Sequence, residues 1–123
     1  MVRYVLTRFL VVCLSTLSLQ ATYPNKSVKI IVHTKPGGAV DLMARQFAQI
    51  AGQKSNQSFV VVNKPGGSGL LALANVYNEK PDGYSILAFP AAYLAPIQTT
   101  NIGFGLDDFE YLACLTISPE AII

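Results

Sequence analysis

Two stretches of the chain could do chemistry, and both would do it through the backbone. The first is His33-Thr34-Lys35-Pro36-Gly37-Gly38-Ala39-Val40-Asp41, and the second is Asn63-Lys64-Pro65-Gly66-Gly67-Ser68-Gly69. Each follows a short apolar run of β type and precedes a run with helical spacing. N–H groups in the first turn of a helix have no intrahelical acceptor, and the helix dipole adds to their attraction for an anion. Glycines beside them carry no Cβ, so a ligand can come close to the main chain. One Pro-Gly joint before a helix is ordinary turn chemistry. Two in one short chain read as donor-rich loops facing a common ligand.

The side chains offer less. His33 is the only histidine, and no second histidine or cysteine stands at metal-ligand spacing. At the end of a strand it reads as a packed or solvated residue, with ligand contact as the alternative because it borders the first loop. Asp41 falls in the first turn of its helix. There it is either a favourable dipole partner or a polar wall of the site, able to meet a ligand amino group. Asp107, Asp108 and Glu110 lie in a turn and read as a solvated face rather than an acid–base pair. Neither a serine nucleophile elbow nor the glycine fingerprints of nucleotide binding follow the strands.

The elements that must carry the loops follow from periodicity. Val28 to Val32 is rich in β-branched residues and reads as a buried strand. Val40, Met43, Ala44, Phe47, Ala48 and Ala51 recur at helical spacing, with Gly52 as the expected helix end. Phe59 to Val62 has no alternation, which suggests a strand covered on both faces. Leu70, Leu73, Ala74 and Tyr77 mark a second helix. Pro81-Asp82-Gly83 is a turn, and Tyr84 to Phe89 a third strand. Pro90 to Thr100 gives no clean pattern, a short helix interrupted by Pro96 being the nearest fit. Asn101 to Asp108 is a loop, and Phe109 to Thr116 a fourth strand candidate containing Cys114, expected to pack as a small hydrophobe. Alternating strands and helices with short loops predict an α/β fold with a mostly parallel sheet flanked by helices. Ligands in such sheets bind beyond the carboxyl ends of the strands, where both glycine loops fall.

The chain has 123 residues, the size of one small domain. It is 51% hydrophobic and 13% charged, and part of that excess is local. Arg3 and Arg8 precede a nearly unbroken apolar run, Phe9 to Leu19, with the small residue Ala21 after it. That is the three-part pattern of a secretory signal peptide over residues 1–21. The run is short for a bilayer span. Leu19 is larger than the residue preferred two positions before cleavage, which leaves an uncleaved N-terminal anchor as the alternative. Without Arg3 and Arg8, seven basic residues face seven acids. The mature chain is then formally neutral, which gives no argument for nucleic acid or anionic membranes as partners. Cys114 would be its only cysteine, so no internal disulfide can form.

Taken together, several motifs resemble one family. They are Tyr23-Pro24 as a mature start, Pro36-Gly37-Gly38 with Asp41, and Asn63-Lys64-Pro65-Gly66-Gly67. Pro81-Asp82-Gly83-Tyr84 before a strand and Asp108-Phe109 complete the set. The chain from Tyr23 onward is similar to the extracytoplasmic solute-binding proteins of tripartite tricarboxylate transporters, the TctC or Bug family. The resemblance implies the two-lobed, type II periplasmic binding protein fold. Residues 22–123 would be an incomplete N-terminal lobe, with the second lobe absent. It also implies a periplasmic location, no catalysis and no cofactor. The partners would be a small carboxylate (a di- or tricarboxylate or an acidic amino acid) and the membrane components of the transporter. Ligand contacts are implied at Pro36, Gly37, Gly38, Ala39 and Asp41 of the first loop. Pro65, Gly66, Gly67 and Ser68 of the second loop and Ala91 of the third complete them.

Two departures stand out. Ala39 and Val40 replace a third glycine and a threonine usual in the family, and Phe89-Pro90-Ala91-Ala92-Tyr93 replaces a small polar stretch, so a less polar ligand is expected there. The alternatives are a phosphate- or nucleotide-binding α/β enzyme domain using the same helix ends, and a non-functional truncated remnant.

Overall fold

The computed structural model of the chain describes residues 23–94, 97 and 102–116. The expected leader and the apolar run from Glu120 to Ile123 lie outside the described residues, as does most of the stretch from Pro96 to Thr100. Three strands and two α-helices form in the expected order. They are β1 (Val28–Val32), α1 (Ala39–Ser55), β2 (Phe59–Asn63), α2 (Leu70–Tyr77) and β3 (Ser85–Ala88). The strands make one parallel sheet in the order β2-β1-β3. Val28 stands opposite Phe59 and Val32 opposite both Asn63 and Ala88.

β1 is central, and its β-branched residues are buried on both faces. Ile30 and Val32 pack with Ala44 of α1, and Val40, Ala48, Phe59 and Val61 close round them. Strand alternation sends Ile31, 1% exposed, to the other face. Right-handed crossovers from β1 to β2 and from β2 back past β1 to β3 place α1 and α2 on opposite faces. The chain therefore changes direction between β1 and β3, and loops after the strands open at that switch point.

Four expectations need correction. Gly52 does not end α1. The helix runs on to Ser55 and stops at Asn56, which takes the left-handed conformation at φ 54°, a role asparagine fills next most readily after glycine. β2 is not covered on both faces, for Val60 is 45% exposed on this edge strand. The fourth strand does not form. Residues 110–116 make no ladder, and Tyr111, Leu112 and Leu115 are more than half exposed. Cys114 is exposed as well, rather than packed. A β-type sequence becomes a strand only with a neighbour to pair with, and no described strand lies beside this one.

What fixes the start of that segment is aromatic. Tyr77 at the end of α2 stacks on Phe104 at 4.6 Å, and Phe109 joins both rings. The opposite end of the sheet is tied by the Pro81-Asp82-Gly83-Tyr84 turn. Tyr23 donates its hydroxyl to the Gly83 carbonyl at 2.6 Å and packs edge-on against Tyr84. Lys26 pairs with Asp82 at 3.0 Å and lies over the Tyr84 ring, while Lys29 pairs with Glu79. These motif residues hold the base of the fold, far from the glycine loops.

Candidate functional site

Both glycine loops emerge at the carboxyl ends of adjacent strands, and a buried polar network joins them. Asp41 is 1% exposed. Its carboxylate accepts the Gly37 N–H at 2.9 Å, two bonds from the Arg45 guanidinium at 3.0 Å each, and the Asn63 amide at 2.8 Å. The Asn63 amide also donates to the Thr34 carbonyl at 3.0 Å. Asn63 ends β2 and Thr34 follows β1, so one side chain spans the gap between the two strand ends. The Lys64 N–H adds a backbone bond to Val32 at 2.8 Å. The Arg45 hydrogen bonds, the Gly37 N–H and the Asn63 amide hold the Asp41 carboxyl well below the usual carboxylate range, against the opposing effect of burial. Asp41 is thus ionised and fully partnered inside the protein.

This network changes which donors are free. Gly37 gives its N–H to Asp41, and Gly38 gives its own to the Lys35 carbonyl at 3.1 Å. The first N–H of α1 with a main-chain acceptor is that of Leu42, bonded to Gly38. Ala39, Val40 and Asp41 therefore keep N–H groups without a backbone acceptor among the described residues. In the second loop Gly69 donates to Gly66 and Leu70 to Gly67. The N–H groups of Gly66, Gly67 and Ser68 have no such acceptor. The glycines act as hinges around the donors. Gly66 and Gly67 have φ of 134° and 55°, conformations side chains resist. Gly38 is a packing glycine, since a Cβ there would stand 3.0 Å from that of Thr34.

Of the residues expected to touch ligand, Pro36, Gly37, Ala39, Pro65, Gly66, Gly67, Ser68 and Ala91 are exposed at this end of the sheet. Gly38 is half-buried, and Asp41 is turned inward. Ala91 begins a 3-10 turn, Ala91–Tyr93, that follows β3. His33 is 8% exposed and packed between Phe89 at 4.9 Å and Tyr93 at 4.7 Å, and this burial lowers its pKa. Lys35 and Lys64 flank the two loops with no ion pair among the described residues, whereas Lys26, Lys29 and Arg45 are paired.

Two residues that build the site were given no side-chain role from the sequence, although Asn63 opens the second loop stretch. Arg45 carried a usable signal, four residues after Asp41 on one helix face. Asn63 had none beyond its place at a strand end. Among the described residues no group of three or more histidine, cysteine or acidic side chains is placed to hold a metal, and no helix is long and apolar enough to cross a membrane.

A parallel sheet wound in both directions, with two helix ends opening at its switch point, is an arrangement shared with periplasmic binding proteins. A TctC solute-binding protein from Polaromonas is 41% identical, with a TM-score of 0.51 over 54% of this chain and 23% of its own. An R. palustris protein solved with adipate is 34% identical, with a TM-score of 0.52 over 53% of this chain and 22% of its own. Residues 43–123 match the tripartite tricarboxylate transporter family receptor, and the chain belongs to that family. A UPF0065 protein of Bordetella pertussis is 32% identical over 104 residues, 83% of this chain and 32% of the relative. The chain spans about a third of the length of the first curated relatives it matches.

Proposed function

We propose that the chain forms one ligand-holding face of an extracytoplasmic receptor that binds a small carboxylate for a tripartite transporter. The receptor works in the periplasm, is exported by its N-terminal leader, and catalyses nothing. The observation that carries this reading is the Asp41–Asn63 network. It brings the two loops together, with the N–H groups of Ala39 and Val40 at the start of α1 and those of Gly66 to Ser68 in the loop before α2 left without a backbone acceptor among the described residues. Backbone donors at helix ends suit a carboxylate, which accepts several hydrogen bonds at once. Lys35 and Lys64 add positive potential at the mouth, felt within a Debye length of about 8 Å at physiological salt. Asp41, already neutralised by Arg45, shapes the first loop and does not repel the ligand. The adipate bound by the R. palustris protein belongs to the same chemical class.

A single face leaves the far side of the ligand in water. Each net hydrogen bond is then worth only about 0.5–1.5 kcal/mol, against an association cost of roughly 4–15 kcal/mol. Binding by this chain alone is therefore expected at about millimolar or weaker. The test is calorimetric titration of the chain with citrate, succinate, glutamate and aspartate at high concentration. Gly67→Val, monitored for folding by circular dichroism, should abolish the weak heat, and Lys54→Ala should leave it unchanged. Micromolar binding by the chain alone, or equal small effects of both changes, contradicts the proposal.

A further inference from the structure

The third wall of the site is aromatic, and nothing in the donor loops requires it to be. His33, Phe89 and Tyr93 form a closed triangle of rings, with centroids 4.9, 4.7 and 5.8 Å apart and interplanar angles of 54–68°. The cluster stands at the switch point, on the ends of β1 and β3. It also touches the second donor loop directly. A Cβ on Gly69 would stand 2.6 Å from Cε2 of Phe89 and 3.6 Å from Cβ of His33, so loop and rings meet at van der Waals distance only because residue 69 is glycine. Within the cluster Nδ1 of His33 is buried without a hydrogen-bond partner among the described residues, in a residue 8% exposed. Protonating that nitrogen would strand an N–H in apolar surroundings, which favours an uncharged imidazole. Tyr93, in contrast, is 40% exposed.

We infer that the carboxylate bound by the donor loops carries an aromatic ring, which lies against Tyr93 and its two ring neighbours. This rests on the loop reading above and narrows its ligand class. A tricarboxylate with a hydroxylated backbone would set polar groups against this wall and gain no cation from His33. A planar ring gains both apolar burial and aromatic pairing. The uncharged wall and the N–H groups of Gly66 to Ser68 thus select for a molecule with one apolar end and one anionic end.

The experiment is a nuclear magnetic resonance titration of the chain with benzoate and with cyclohexanecarboxylate, which match in charge and nearly in size. His33 is the only histidine of the chain, so its ring protons give an unambiguous signal. Benzoate should bind about 2- to 10-fold more tightly than cyclohexanecarboxylate, the range of an aromatic pair beyond its area, and should shift the His33 ring protons by ring current. Tyr93→Leu, which keeps an apolar side chain, should remove that preference while the Gly67 and Ser68 amides still respond to both acids. Equal affinities, or a preference that survives Tyr93→Leu, overturn the aromatic wall and leave the loop reading intact. Loop amides that respond to neither acid overturn both.

Discussion

Replacing Asn63 with alanine should uncouple the two loops. The Asn63 amide donates two hydrogen bonds, to the Thr34 carbonyl at 3.0 Å and to the Asp41 carboxylate at 2.8 Å, and its Oδ1 accepts a longer one from Arg45 at 3.4 Å. Counting only the two shorter, donated bonds at a net value of about 0.5–1.5 kcal/mol each, the loss is about 1–3 kcal/mol. That is a large share of the roughly 5–15 kcal/mol that holds a small domain together. In a domain of this size it lowers the melting temperature by about 5–20 °C. The effect should also be local. With Asn63 gone the first loop is anchored from its own side only, and the Gly37 N–H, bonded to the same carboxylate, should exchange with solvent faster. Thermal unfolding followed by circular dichroism reads the first effect, and amide exchange the second. Lys54→Ala, on the exposed last turn of α1, serves as a control with almost no change. A loss below about 0.5 kcal/mol for Asn63→Ala, within the scatter of surface substitutions, together with unchanged protection at Gly37, would refute the claim that this network sets the loops.

Two further outcomes are expected. Asp41 titrates below its ordinary value of 3.8 in the folded chain, so its contribution to stability is complete above that value and is lost as pH falls beneath it. His33, whose pKa burial lowers from 6.5, takes up its proton more readily when unfolded, so stability declines as pH drops through 6.5 toward the lowered value. Denaturant midpoints measured across pH should show both losses, and His33→Phe should remove the one near neutrality while leaving the acidic one. For export, mass spectrometry of a periplasmic extract should find an N-terminus near Thr22, and an uncut chain in the cytoplasm would contradict the leader.

Local signals carried most of the fold. The β-branched run of β1, the spacing of Val40, Ala44 and Ala48, and the limits of α2 are all set by residues near one another in the chain. Asn56 hid the end of α1 because asparagine enters the left-handed region without the plain signal that glycine gives. The stretch from Phe109 to Thr116 misled because strand formation depends on a partner elsewhere. In the site, the position of the two loops was legible from their Pro-Gly-Gly sequences and the strands before them. The identity of the donors was not. Gly37 and Gly38 spend their N–H groups internally, which becomes apparent only once Asp41, Lys35 and Asn63 are placed. Asn63 reaches Asp41 across 22 positions of sequence, a distance at which periodicity carries no information.

The central claim is that the backbone of the two loops holds a carboxylate. The most direct measurement is amide chemical-shift mapping of the chain during titration with glutamate, set against sodium chloride at equal ionic strength. The account predicts saturable shifts at Ala39, Val40, Gly66, Gly67 and Ser68, with Gly37 and Gly38 moving less because their N–H groups are already bonded. Loop amides that respond no more to glutamate than to chloride, or shifts confined to the base of the sheet around Lys26 and Tyr84, would contradict it.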